Sequence, residues 1–168
     1  MKTITKKYKV YTLDELSEEA KEKALRDWNQ DNDYPFLQAD LREYIHEGLQ
    51  ELGLEEVGVI TPLYSLTYSQ GDGLMFEGTV SDRKGNTYTI KHSGRYYHER
   101  STEIDGQDEE GEEIDSKDFE ENVYVPLCKR VAQRGYDEIE HLESMENFQE
   151  ACDANEYTFL EDGKMFNE

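Results

Sequence analysis

Apolar and polar positions alternate with a period of two at the start of the chain, where Ile4, Lys6, Tyr8 and Val10 fall on one side of the segment 3–11. That period predicts a β-strand, and its lysines suit a sheet edge. The period then lengthens. Leu16, Ala20, Ala24 (or Leu25) and Trp28 lie on one helical stripe, behind the capping hydroxyls of Thr12 and Ser17. With Glu18, Glu19 and Glu22 near the positive end of the dipole, a helix is expected over 18–29. The run Asp31-Asn32-Asp33-Tyr34-Pro35 breaks it. Leu37, Leu41, Tyr44, Ile45, Leu49 and Leu52 then mark the buried face of a second helix that Gly53 closes.

From residue 57 to 104 the pattern is that of strands: 57–60, 63–69, 74–81, 87–92 and 96–104, with turns at 69–73 and 82–86. This reads as an antiparallel meander of four or five strands, with Gly78 marking a bulge or a close backbone approach. Helical spacing returns at Phe119, Val123, Leu127 and Val131, for a helix from Ser116 to Arg134 kinked at Pro126. A further helix is expected over 137–154, on Ile139, Leu142, Met145, Phe148 and Cys152. Two short strands, 157–160 and 164–166, close the chain as a hairpin that can extend the sheet. The fold expected is α+β: N-terminal helices on an antiparallel sheet, followed by acidic helices. It reads as a single domain, with an αβ core at 1–104, a mobile acidic loop at 105–115 and an acidic helical region at 116–168.

Charge changes this picture. Forty acidic residues against eighteen basic ones give a net charge of −22 over 168 residues. The excess is regional, because residues 1–30 carry seven Lys/Arg and six Asp/Glu. One acidic zone, 99–121, holds twelve acids and two bases; another, 137–168, holds eleven acids and one base. Such density costs compactness through self-repulsion and exceeds what solubility needs, so a strongly basic partner surface is its natural complement. Bare nucleic acid and anionic membrane are disfavoured as direct partners. No apolar run approaches the ~20 residues of a membrane span, so a soluble, cytoplasmic protein is expected. Twelve Tyr, six Phe and one Trp supply core area that disordered chains lack. Cys128 and Cys152 have no metal-like spacing and read as free thiols.

The most distinctive stretches are YSLTYSQGDG (64–73) and KHSGRYYH (91–98), after an LSEEAKEKAL helix (16–25). Over residues 8–104 the chain resembles a family of small proteins encoded by bacteriophages and mobile elements, some of them labelled antitoxin-like. The resemblance implies a phage or mobile-element origin and, with the acidity, an anti-CRISPR or anti-restriction role. It does not extend to the acidic C-terminal part.

Two chemistries compete for these residues. His92 and His98, with Asp72 as orienter, have the types needed for general acid/base work, but nothing in their spacing fixes a geometry. Alternatively Ser69, Gln70, Asp72, His92, Tyr97 and His98 form a recognition surface. The bland reading has Ser69, Asp72 and Ser93 bonding turn backbone. No third ligand accompanies the two histidines and 105–115 lacks the calcium-loop order, so no metal and no cofactor are expected. The leading expectation is a non-enzymatic inhibitor that imitates nucleic acid in the basic groove of a host defence complex. Its partner-binding residues would be Asp108, Glu109, Glu110, Glu112, Glu113, Asp115, Asp118, Glu120, Glu121, Asp137, Glu138, Glu140, Glu143 and Glu146. Carboxylates fixed on helices and strands can reproduce the ~7 Å phosphate spacing that follows from ~3.4 Å per base step.

Overall fold

Local hydrogen bonding starts the first helix where the hydroxyls predict it. Thr12 and Glu15 form a capping box around a 3-10 turn at Leu13–Glu15, and the Ser17 hydroxyl accepts from the Ala20 amide (3.2 Å) to open α1, Glu18–Gln30. The computed structural model describes residues 1–167. Its class is α+β, with a five-stranded antiparallel sheet ordered β1-β2-β3-β4-β5. None of its helices is long and apolar enough to cross a membrane among the described residues. Contacts gather into two units: Met1–Tyr34 with the chain from Glu138 onward, and Pro35–Asp137.

In the first unit, α1 packs with α5, Met145–Asn155, whose N-cap Ser144 accepts from the Asn147 amide (3.2 Å). Leu13, Leu16, Ala20, Ala24, Phe148, Cys152 and Phe159 make the core, with Trp28 packed against it. The expected N-terminal strand does not form. Residues 1–10 are exposed, and only Tyr11 pairs, exchanging backbone bonds with Phe159 (2.9 and 2.8 Å). Alternation makes a strand only where a second backbone satisfies its N–H and C=O groups. The terminal hairpin is a single bridge between Phe159 and Met165. At its turn Gly163 has φ +84°, and a Cβ there would stand 2.1 Å from the Ala20 carbonyl oxygen, so the position demands glycine.

In the second unit, α2, Leu37–Glu51, buries Leu37, Leu41, Ile45 and Leu49 and lies on β1, Glu55–Ser65. The strands expected at 57–60 and 63–69 are one continuous β1, interrupted by a bulge between Val57 and Thr61. β2 is Gly73–Ser81 and β3 is Thr87–His92, close to expectation. β4 is Thr102–Gln107, beginning later than the expected 96–104 because residues 93–101 form a loop. The stretch 105–115, expected to be a mobile loop, instead folds as a hairpin from β4 into β5, Glu113–Ile114.

The helix after it starts as α3, Lys117–Phe119, widens into a π turn at Glu120–Tyr124 and continues as α4, Val125–Leu142. Pro126, which has no N–H to donate to the preceding turn, lies just after the π segment. The helix passes its expected end at Arg134. Gly135 is a packing residue rather than a stop, since a Cβ there would come within 2.7 Å of Leu66 and 2.9 Å of Leu41. Both cysteines are buried and free, and burial pushes the Cys128 thiol up.

Tyr124 locks this unit's core. Its buried hydroxyl donates to the Phe76 carbonyl and accepts from the Phe76 amide, both at 3.0 Å, beyond the residues where β3 pairs with β2. Tyr124→Phe orphans the Phe76 carbonyl and leaves the Phe76 amide only the weaker Cys128 sulfur as acceptor. It should lower stability by roughly 1–3 kcal/mol, read as a fall in the urea midpoint at constant slope. A variant of unchanged midpoint would show that Phe76 has other partners.

Candidate functional site

The acidic hairpin is built by one of its own carboxylates. Asp108 Oδ1 accepts from the amides of Glu110 and Glu112 (both 2.9 Å), and the Asp108 amide donates to the Glu112 carbonyl (2.9 Å). Asp108 thus turns into the loop while Glu109, Glu110, Glu112 and Glu113 remain exposed. The following turn is fastened similarly: Asp115 accepts from the Lys117 amide (2.9 Å), and the Ser116 hydroxyl donates to the Ile104 carbonyl (2.7 Å). Asp118 accepts from the Asn122 side chain (2.7 Å), Glu120 is half-buried and Glu121 is exposed. On β4, the exposed Glu103 and Asp105 pair in register with Lys91 and Thr89.

Ion pairs lie elsewhere. Lys21 meets Glu18, Lys23 meets Asp27 and Asp162, Arg130 meets Glu51, and Arg134 meets Glu47, but no Lys or Arg pairs with a carboxylate of residues 99–121 among the described residues. The second acidic set is less uniform. Asp137 accepts from Gln133 (2.9 Å), Glu140 and Glu146 are exposed, and Glu138 is half-buried. Glu143 is structural: its half-buried carboxylate holds the Tyr34 hydroxyl and its carbonyl accepts from Asn29 Nδ2 (2.9 Å). Asp137 belongs to the second unit and Glu138, Glu140, Glu143 and Glu146 to the first.

The two motif segments, distant in sequence, meet. A Cβ on Gly71 would stand 2.5 Å from the Tyr96 ring, and one on Gly73 would stand 2.7 Å from His98 Cβ. Asp72 anchors the contact. It accepts from the Ser65 hydroxyl (2.8 Å), the Thr67 and Ser69 amides (2.6 and 3.0 Å) and the Tyr136 hydroxyl (2.9 Å). Bonds on either side of Tyr68 hold that residue at φ +59°, a conformation bulky side chains rarely adopt, with its ring 4.6 Å from Tyr136. Tyr68 is 74% exposed, Tyr96 40% and Tyr97 43%.

Asp72 is therefore engaged by hydroxyls and amides rather than by either histidine. His92 Nε2 donates to the Tyr96 carbonyl (3.0 Å), its ring sits 4.9 Å from Tyr97, and His98 Nδ1 accepts from the Arg100 amide (3.1 Å). Asp72 takes the turn amides of Thr67 and Ser69, as expected of a turn-bonding side chain, whereas the Ser69 hydroxyl meets the Thr67 hydroxyl rather than turn backbone. Gln70 lies exposed in the same turn. The participant sequence reasoning missed is Tyr136; it sits 64 positions from Asp72, and no local pattern signals the pairing.

Partial burial works to raise the Asp72 carboxyl, but the bonds from Ser65, Ser69, Tyr136 and Thr67 outweigh it and hold the group at about 2, below its ordinary 3.8. Burial, then the bond to Asp72, pushes Tyr136 up to about 12. A carboxyl depressed in the folded state stabilises above its unfolded value of ~3.9, and that contribution is lost as pH falls through the folded value. Asp72→Asn should lower the urea midpoint at neutral pH and flatten the loss of stability between about pH 4 and pH 2. A variant whose acid profile overlays that of the parent would remove Asp72 from the hub.

Comparison of the chain with known protein families, with curated proteins and with solved structures gives no match in any of the three.

Proposed function

We propose that the protein is an acidic binding protein that imitates nucleic acid and occupies the basic groove of a partner. The observation that carries this reading is the charge of residues 103–121, held by strand pairing and turn bonds, with Lys91 in register opposite Glu103 but no Lys or Arg ion pair to any of its carboxylates among the described residues. A flexible tail of the same composition loses conformational entropy on docking; a preformed hairpin loses far less. Glu103 and Asp105 share one face of β4, and two residues of strand advance ~6.6–6.8 Å, close to two steps of ~3.4 Å along a nucleic-acid strand. The similarity of segments 64–73 and 91–98 to phage and mobile-element proteins favours a host defence complex, CRISPR or restriction, as the partner.

A second reading has its own observation. The strained Tyr68 and the exposed Tyr96 and Tyr97 stand on the meeting point of the two motif loops, and tyrosine is enriched at interface hot spots. This supports a recognition module of the antitoxin-like or regulatory kind, using Ser69, Gln70, Asp72, His92, Tyr97 and His98.

Charge reversal separates the two. Replacing Glu109, Glu110, Glu112 and Glu113 together by Lys should abolish capture of a nucleic-acid-binding host complex, while Tyr68→Ala and Tyr97→Ala leave it intact. DNA or RNA added to the captured complex should displace the protein, and affinity should fall steeply with salt, since exposed charges are screened within ~8 Å at physiological ionic strength. Single reversals should matter little, exposed pairs being worth under about 1 kcal/mol. Binding that survives the fourfold reversal and disappears with the tyrosines would favour the loop surface.

A further inference from the structure

β1 is an open edge. It is the first strand of the sheet, and no backbone bond satisfies its outer side among the described residues. Its eleven residues extend ~36 Å at ~3.3 Å each, with Val57 and Val59 exposed at 51% and 73%. Beside it a cavity of about 820 Å³ opens toward α2, lined by Ala39, Arg42 and His46 on the helix and by Val59, Ile60 and Pro62 on the strand. Natural edges are blunted by charge, proline and bulges, most often with lysine as the charge. Here Pro62 and the bulge limit one part of the edge, and its exposed charge is Glu55, since the half-buried Glu56 meets His46 of α2 at 3.2 Å. Glutamates repel a second identical edge and attract a strand that carries lysine.

The chain holds such a strand. Residues 3–10 have the alternation of a strand, and the first ten residues contain Lys2, Lys6, Lys7 and Lys9 and no acid. All ten are exposed, none takes part in a backbone hydrogen bond among the described residues, and the arm touches the fold through Tyr8, whose ring lies 5.2 Å from that of Phe166. The arm is a basic strand without an edge, and β1 is an acidic edge without a strand. We propose that residues 3–10 of a second copy add as a strand along β1, with Ile4 and Tyr8 reaching toward the cavity and the arm lysines facing the exposed Glu55. Exchange in both directions closes a two-fold dimer and leaves no open edge for further addition. The repulsion between two chains of charge −22 opposes this, but screening confines it to ~8 Å at physiological ionic strength, and the arm itself carries four lysines and no acid over residues 1–10. The inference is independent of the acidic hairpin and its partner.

Sedimentation equilibrium of the full chain tests it. The expected result is a dimer whose dissociation constant rises roughly tenfold or more in Ile4→Glu and in Val59→Lys, two exposed positions at which the circular dichroism should match that of the parent. Glu55→Lys should weaken the dimer, and Lys6→Glu with Lys7→Glu in that variant should restore it. A wild-type chain that stays monomeric overturns the proposal. So does a dimer indifferent to both single substitutions, and so does a monomer whose arm amides are protected from hydrogen exchange, which would place the arm on its own chain.

Discussion

Forty carboxylates share this chain with eighteen Lys and Arg, so most of the negative charge must be accommodated without a cationic side chain. The fold does this with backbone N–H groups. Asp72 accepts from two amides, Asp82 from those of Lys84 and Asn86 (2.8 and 3.0 Å), and Asp108 from those of Glu110 and Glu112. Asp115, Asp162 and Glu77 each accept one more. Charge-assisted bonds of this kind are stronger than neutral ones and favour the ionised form. The same residues that create the repulsion therefore fix the turns.

This device also decides which charges face outward. In the β4–β5 turn Asp108 is consumed internally, and its neighbours Glu109, Glu110, Glu112 and Glu113 are left exposed, in no ion pair with Lys or Arg among the described residues. At the motif loops Asp72 is consumed too, but its neighbours are Tyr68 and the Tyr96–Tyr97 pair, so the outward surface is aromatic. Tyr68 is held with positive φ between two amides that Asp72 binds, a strain that persists because the surrounding bonds over-determine it. One structural principle thus produces two surfaces of different chemistry.

The sequence disclosed what short-range physics controls. α1 and α2 follow from their stripes and caps, and β3 from its period of two between turn residues. It misled wherever a partner elsewhere decides. Residues 3–11 alternate like a strand but pair only at Tyr11. Residues 105–115 read as a mobile loop on composition, because the Asp108 bonds that order them depend on turn geometry rather than hydrophobicity. The 137–154 pattern concealed a break at Ser144, whose hydroxyl caps a new helix. Within the candidate sites, the exposed glutamates were legible from charge alone, whereas the structural employment of Glu143 with Tyr34, and of Asp72 with Tyr136, was not.

The central claim, that the rigid acidic hairpin is the partner-facing surface, is tested most directly by carboxyl footprinting. Glycine ethyl ester labelling, read residue by residue by mass spectrometry, should be compared between the free protein and the protein bound to the basic partner proposed above. Strong protection of Glu103, Asp105, Glu109, Glu110, Glu112 and Glu113 on binding, with Glu18 and Glu19 labelled as before, is the result expected. Unchanged labelling across Glu103 to Glu113 in the complex would contradict it.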